Sequence, residues 1–562
     1  MAQTLWEMRG ELLRDLLFVL CLAGAWIAPG FGGAIFSAIE RWGTKLASRK
    51  RLVILLAVMT PILIRASLFW LLAHPVPHIH DEFSYLLGGD TLAHGRLANP
   101  ANPMAVFFDT IHVNQTPAYV SKYPPGQAAA LAVGELLGDP WFGVVLSVGA
   151  MCGAIVWMLQ GWFAPRWALL GGVLVVARLG IFSYWMNSYW GGAVAATGGA
   201  LVVGALPRIV RNWSARDSWI LGLGLFILVN SRPFEGFLLS VPVACVLTAR
   251  VFSKQSPPWG VKLTRVVLPL LIAGVATGAF WAYYNLRTTG NALETAYVVN
   301  ERSHLSGTPP FSWQQLRPAV HFANPQLETY YNSYLRQVHA ANEMRSLRGA
   351  ALKVAMNGKD FLLFFAGPAL CLPLALGIAL FGRGIGGVRL WTWQVGLGFG
   401  ALLLVTWFEP HYLAPMTASI FALVVEGTRW LRRWRVKGRP VGLAMSRVVV
   451  LFAVVLGPFG QRGTAFTFQK PDLIAYRVQF NRELEEMPGK HLVIVRYGPD
   501  HFVLREWVYN GADLENGKVV WAREIPGQDL RPLLEHFKDR QVWLAEPDAS
   551  PPRLTPYEPA GR

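Results

Sequence analysis

Long apolar blocks alternate with short polar segments along the chain, at residues 52–73, 141–162, 167–184, 190–207, 219–230, 236–249, 265–285, 361–381, 391–408, 412–428 and 441–458. A helix needs roughly 20 apolar residues to cross a bilayer, and the pattern predicts about eleven spans. A further apolar stretch, 16–39, is interrupted by Pro29 and Gly30. It is open to three readings: another span, a re-entrant hairpin or a signal-like segment. Residues 124–137 are too few to span, and Pro124-Pro125 suits the first turn of a helix lying at the outer interface. Beyond Pro458 the pattern changes. Short β-like runs at 491–497, 518–523 and 541–545 alternate with helical segments at 473–487 and 530–537, which predicts a small α/β domain.

Composition agrees with this reading. Hydrophobic residues make up 53% of the 562 and charged residues only 15%, against about 25% charged in soluble domains. The net charge of +17 does not point to nucleic acid, because its distribution follows the apolar blocks. Arg41 to Arg51, Arg208 to Arg216 and Arg429 to Arg439 fall in short connecting loops, the signature of a cytoplasmic side. Segments 74–123 and 287–360 then face outward. The four cysteines lie within apolar blocks without metal-ligand spacing and read as small buried hydrophobes. The expected fold is an all-α polytopic inner-membrane protein with a small extracytoplasmic α/β C-terminal domain. Its parts are an N-terminal apolar segment and basic loop (1–50), the multi-span domain (51–459) and the α/β domain (460–562).

Four segments carry candidate chemistry, all at the predicted outer face. His78-Ile79-His80-Asp81-Glu82-Phe83-Ser84-Tyr85 puts adjacent carboxylates at a membrane boundary, a costly placement unless they are solvated or functional. The plainer alternative makes Asp81 the cap of a juxtamembrane helix. Ser121-Lys122-Tyr123-Pro124-Pro125 sets a cation and an aromatic ring before a helix N-terminus, a place suited to phosphate or to anchoring at lipid headgroups. Arg232 and Glu235 lie at the break 230–236, either as a bridge or with the cation facing a cavity. His411 and Tyr412 open a late apolar block; a lone histidine is more often structural than a ligand.

A span followed by an external Asp-Glu-x-x-Tyr, a Tyr-Pro-Pro helix, a Ser-Arg-Pro break and a late His-Tyr-Leu-x-Pro segment resembles the GT-C glycosyltransferases. The nearest branch is that of the protein O-mannosyltransferases, aminoarabinose transferases and bacterial RgtA/B/C/D-like proteins. The resemblance implies an enzyme moving a sugar from a polyprenyl-phosphate carrier to an extracytoplasmic acceptor, with inversion. It makes Asp81 the catalytic base with Glu82 beside it, and His80, Tyr85, Lys122, Tyr123, Arg232, Glu235, His411 and Tyr412 substrate contacts. Many relatives carry a second acid in an early external turn, whereas the turn Tyr184-Trp185-Met186-Asn187-Ser188-Tyr189-Trp190 has none.

No cofactor is required by this reading. A divalent metal is conceivable on His78, His80 and Asp81, but their order matches no specific ligand pattern. The aromatic-rich segment 287–360, with Trp313, Tyr330, Tyr331 and Tyr334, is expected to cover the substrate site, its rings stacking on sugar or lying in the headgroup belt. The C-terminal domain has no phosphate-binding or nucleophile motif, and 505–510 reads as a packed connection within an accessory domain. A flippase and a non-catalytic scaffold are the competing classes. Transport sites tend to lie near the bilayer midplane, while the charges here gather at block ends.

Overall fold

The computed structural model describes residues 2–72, 74–304, 308–458 and 473–558. Among them, five helices are long and apolar enough to cross a membrane: Pro140–Trp162, Ala193–Asn212, Pro233–Val251, Trp259–Thr289 and Leu347–Arg383. The chain is a mostly helical membrane protein with a small C-terminal sheet.

The remaining predicted spans are shorter helices packed with these five. Lys50–Ser67 has 18 residues, Val388–Leu404 has 17, and Pro165–Leu179, Ala215–Val229 and Val441–Val455 have 15 each. At 1.5 Å per residue, 15 residues reach only ~22 Å. Their sequences explain the limits: Pro165 opens one helix and Gly180 closes it. The block at 412–428 is divided, a 3₁₀ segment Pro410–Met416 preceding the helix Thr417–Leu431. Pro410 and Pro415 supply no backbone N–H there.

The stretch 16–39 is two helices, Ala2–Ile27 and Gly33–Ala47, joined across Pro29 and Gly30. Glu40 fastens the second to the far end of the chain. Its carboxylate accepts from Arg432 at 2.6 and 2.9 Å and from Arg447 at 3.0 Å. Burial works against its charge, but the two guanidinium groups hold its carboxyl at about 2.

The predicted outer segments hold most of the irregular structure. The first contains the helix His80–Ala93 and a three-stranded antiparallel sheet of Asn99–Pro100, Ala118–Ser121 and Val113–Asn114, in that spatial order. The helix Pro125–Leu136 follows with proline in its first turn, as the Pro pair predicts. In the C-terminal region the strands run Val519–Arg523, His491–Val495, Gln541–Glu546, Arg553–Pro556 across the sheet. The first three are parallel and the edge strand antiparallel. The helices Leu473–Glu486 and Arg531–His536 lie where the pattern places them.

This sheet is not a separate body. Leu492, Ile494, Leu514 and Phe537 share one apolar cluster with Leu87, Phe107, Phe108 and Val113 of the segment before the Pro-Pro helix. Polar contacts reinforce it: the Ala512 N–H donates to Asp90 at 2.6 Å, and Arg523 donates to the Asp109 carbonyl at 2.6 Å. Arg523 also donates to Glu506, and both side chains are nearly inaccessible, at 1% and 2% exposure. Burial opposes the charge of Glu506, yet Arg523 and the Tyr497 hydroxyl hold its carboxyl below the ordinary 4.5.

Breaking a buried pair by removing one partner costs about 3–5 kcal/mol. Arg523→Met is therefore expected to lower the unfolding temperature of the purified protein markedly. Because the Glu506 pKa is depressed on folding, its contribution is complete above about 4.5 and declines as pH falls further. Thermal unfolding from pH 7 to pH 3 should show that acid loss in the wild type and a smaller one in Glu506→Gln. Equal acid sensitivity of the two would contradict the assignment.

Candidate functional site

Asp81 lies in the first turn of the helix His80–Ala93, but it does not cap it. Ile79 is the N-cap residue, in extended conformation and with no side-chain cap bond. The Asp81 carboxylate instead accepts from the Tyr123 hydroxyl. Its other oxygen is 3.8 Å from His112 Nε2, and the side chain keeps 27% of its surface accessible. It is a partly open carboxylate, flanked by buried neighbours.

Those neighbours hold the helix. Glu82 is fully buried and accepts from the His78 N–H at 2.7 Å and the Tyr189 N–H at 2.9 Å. Burial pushes its carboxyl up to about 7 against the pull of these backbone donors. The chain thus places Glu82 next to Asp81 in sequence but turns it inward, onto the acid-free turn at 184–190. His80 is also buried, one ring nitrogen against the Tyr509 hydroxyl and the other 2.9 Å from the Val503 carbonyl. With both nitrogens engaged it is not free to bind metal beside Asp81. The segment 505–510, expected as a mere connection, supplies this contact through Tyr509, which also stacks on Phe83 at 3.7 Å. Ser84 donates to the His112 carbonyl at 2.6 Å. A Cβ on Gly88 would sit 2.9 Å from that of Ala128, so glycine there lets the Pro125–Leu136 helix lie close.

Lys122 is 6% exposed. Its ammonium is 3.7 Å from Glu301 Oε1 and lies over the rings of Tyr297 at 4.8 Å and Tyr123 at 5.5 Å. Burial lowers its pKa, against the pull of Glu301 and Asp81. Tyr123 stacks on Tyr85 with ring centres 4.5 Å apart. Arg232 lies over the Tyr412 ring at 4.5 Å and 4.0 Å from Glu235, and its charge is felt at Tyr85 and Tyr123. The Gly126 N–H donates to the Asn230 carbonyl at 2.5 Å, and a Cβ on Gly126 would stand 2.6 Å from that oxygen. The Tyr-Pro-Pro and Ser-Arg-Pro motifs therefore abut. His411 takes a different place, with Nδ1 3.0 Å from the Tyr184 hydroxyl and its ring 4.6 Å from Trp190; only Tyr412 beside it reaches Arg232.

Four further groups join the cluster without having been singled out from sequence. His112 adopts a positive φ of 68°, uncommon for a residue with a side chain, which sets its ring toward Asp81. Burial, with Lys122 nearby, drives its pKa well down, so the imidazole is neutral beside the carboxylate. Tyr297 and Glu301 come from the helix Ala296–Ser303. Glu409 is pushed up to about 7 by burial and by the charges of Asp81 and Asp360. A cavity of about 530 Å³ opens beside it, lined by Tyr184, Trp190, Phe364 and Phe408. Of the aromatic residues expected to cover the site, Tyr330 lies edge-on to His80 at 5.8 Å and to His112 at 6.0 Å. Tyr331 stacks on His304 instead, and Trp313 on Phe311.

Among the described residues, one group has metal-ligand spacing: Asp90, His94 and Glu135, with ligand atoms within 4.8 Å of one another. It sits at the other end of the Asp81 helix, where Asp90 also holds the Ala512 N–H.

No family model and no curated protein matches the chain. Among solved structures it is similar to ArnT from Cupriavidus metallidurans bound to undecaprenyl phosphate, at 11% identity over 88% of this chain and 92% of that one, TM-score 0.49. It is also similar to the oligosaccharyltransferase AglB from Archaeoglobus fulgidus, solved with an inhibitory peptide and a dolichol-phosphate, at 12% identity over 80% of this chain, TM-score 0.42. The chain spans 62% of that protein's length.

Glu82→Ala would strand the buried Tyr189 N–H and the partly buried His78 N–H, at a cost of roughly 1–3 kcal/mol. The expected outcome is a lower unfolding temperature for the whole protein. A variant as stable as the wild type would contradict the inward anchoring described.

Proposed function

We propose that the protein transfers a sugar from a polyprenyl-phosphate carrier to a hydroxyl acceptor at the extracytoplasmic face of the inner membrane, with inversion and with Asp81 as general base. The carrying observation is a partly open carboxylate set near a buried lysine and a half-buried arginine that precede apolar helices. Asp81 can accept a proton from an approaching hydroxyl, and it already takes one hydrogen bond from Tyr123. Lys122 and Arg232 supply positive charge in a water-poor setting, where it best stabilises the phosphate that departs. Tyr85, Tyr123, Tyr297 and Tyr412 surround these groups and offer faces and hydroxyls to a sugar.

In this reading Glu82 and His80 position the base and do not touch substrate. Glu235 restrains Arg232, and His411 sets Tyr412 through its place between Tyr184 and Trp190. Glu301 occupies Lys122 until the donor phosphate displaces it. The cavity beside Glu409 offers apolar walls for the first isoprene units of the carrier. The C-terminal region holds His80 through Val503 and Tyr509 and so keeps the base in register.

Asp81→Asn is expected to cut transfer by about 10²–10⁴-fold, the range general bases contribute, while donor binding and thermal stability stay near wild type. Rates come from purified protein in detergent, with lipid-linked sugar and acceptor. Normal turnover by this variant would reject the assignment. Lys122→Ala should weaken polyprenyl-phosphate binding roughly tenfold to a hundredfold, as expected for loss of a charged hydrogen bond; unchanged affinity would remove Lys122 from the donor site.

A further inference from the structure

A second cavity lies away from the Asp81 cluster. It has a volume of about 980 Å³ and runs between the helices Gly33–Ala47, Lys50–Ser67, Pro165–Leu179 and Val441–Val455. Its walls are apolar: Leu56 and Ile64 on one helix, Leu170 and Val173 on another, Val450 and Val454 on a third. From Arg166 at one end to Ile181 at the other it follows 15 residues of chain, or ~22 Å if helical throughout. That is somewhat more than one leaflet of a hydrocarbon core ~30 Å thick.

One end carries charge. Arg166, Arg429, Arg432, Arg433 and Arg447 line it together with a single carboxylate, Glu40. Glu40 is committed to Arg432 and Arg447, and Arg429 pairs with Glu426 at 2.6 Å. Among the described residues, no carboxylate lies within ion-pair distance of Arg166 or Arg433; each instead lies near an indole, Trp167 at 5.7 Å and Trp430 at 5.5 Å. Lys50 begins the helix that lines this groove and Ser67 ends it, with the Asp81 helix following shortly after. The arginine mouth and the Asp81 cluster therefore belong to opposite ends of the bundle.

We infer that this groove is a binding site for an anionic diacyl phospholipid, whose phosphate sits among the arginines and whose acyl chains fill the apolar slot. Charge complementarity favours this occupant: two uncommitted guanidinium groups at the mouth of a groove somewhat deeper than one leaflet select a lipid with a net negative headgroup over a zwitterionic one. Each basic residue at a membrane surface contributes about 1 kcal/mol toward anionic lipid. Losing both should therefore weaken binding about thirtyfold. The site is remote from the reacting groups and does not depend on the reaction proposed above.

The test uses the full chain in detergent, with phosphatidylglycerol, phosphatidylcholine and undecaprenyl phosphate as separate probes and retained lipid counted by native mass spectrometry. The inference expects preferential retention of phosphatidylglycerol, an approximately thirtyfold weaker affinity in Arg166→Ala/Arg433→Ala, and loss of retention in Val173→Trp, which fills the slot. Unfolding temperatures of both variants establish that they are folded. Equal retention of phosphatidylcholine, unchanged phosphatidylglycerol affinity in the folded variants, or retention of undecaprenyl phosphate alone would each overturn it.

Discussion

The burial of Glu82 is the constraint on which the rest of the site depends. A carboxylate with no exposure is costly unless its oxygens are satisfied, and here the donors come from His78 and from Tyr189, the latter 107 residues further on. That pair of bonds joins the start of the Asp81 helix to the turn after Pro165–Leu179. Once the turn is fixed, Gln127 donates to the Tyr189 carbonyl at 3.0 Å and ties in the Pro-Pro helix. Tyr184 reaches His411 from the same turn. Asn187 accepts from Arg65 at 2.9 Å, which adds the helix Lys50–Ser67. A seven-residue segment without an acid thus organises a site whose acids all come from elsewhere.

The second fastening is the segment between the strands His491–Val495 and Val519–Arg523 of the C-terminal region. His80 cannot be solvated where it lies, and Tyr509 and Val503 take both its nitrogens. Burial lowers its pKa, so the ring bridges as a neutral group. A cation at this point would compete with the Tyr123 hydroxyl for Asp81; a neutral imidazole leaves that carboxylate to Tyr123. The same logic applies to His112, neutral at 3.8 Å. Two histidines next to an aspartate here shape its surroundings without neutralising it.

Much of this was legible in the sequence, for physical reasons that differ by region. The strands His491–Val495 and Val519–Arg523 were readable because β-branched runs bounded by turns have few alternatives. Asp81 and Glu82 stood out in the sequence because paired acids at a membrane boundary are costly. Their division of labour was not readable: it depends on a helix turn that points one side chain outward and the next inward, and on Tyr189 as a distant partner. His112 gave no local cue, since its placement rests on a left-handed backbone conformation that is uncommon outside glycine. Span lengths were overestimated where Pro and Gly trim the helices, as at Pro165 and Gly180.

The relation between Lys122 and Glu301 follows from the same electrostatics. A lysine 6% exposed and partly surrounded by tyrosine rings would lose its proton readily without a counter-charge. Glu301 provides one from a short helix, and its own side chain is 47% exposed at 3.7 Å, so the contact is loose. A phosphate monoester brings more negative charge and more acceptor oxygens than a carboxylate, and so competes well for a cation already desolvated. The desolvation of Lys122 was completed on folding; a ligand that binds it need only exchange one anion for a stronger one. A buried lysine with a weakly held partner is therefore better prepared for a phosphate than an exposed lysine would be, because the exposed one must first give up its water.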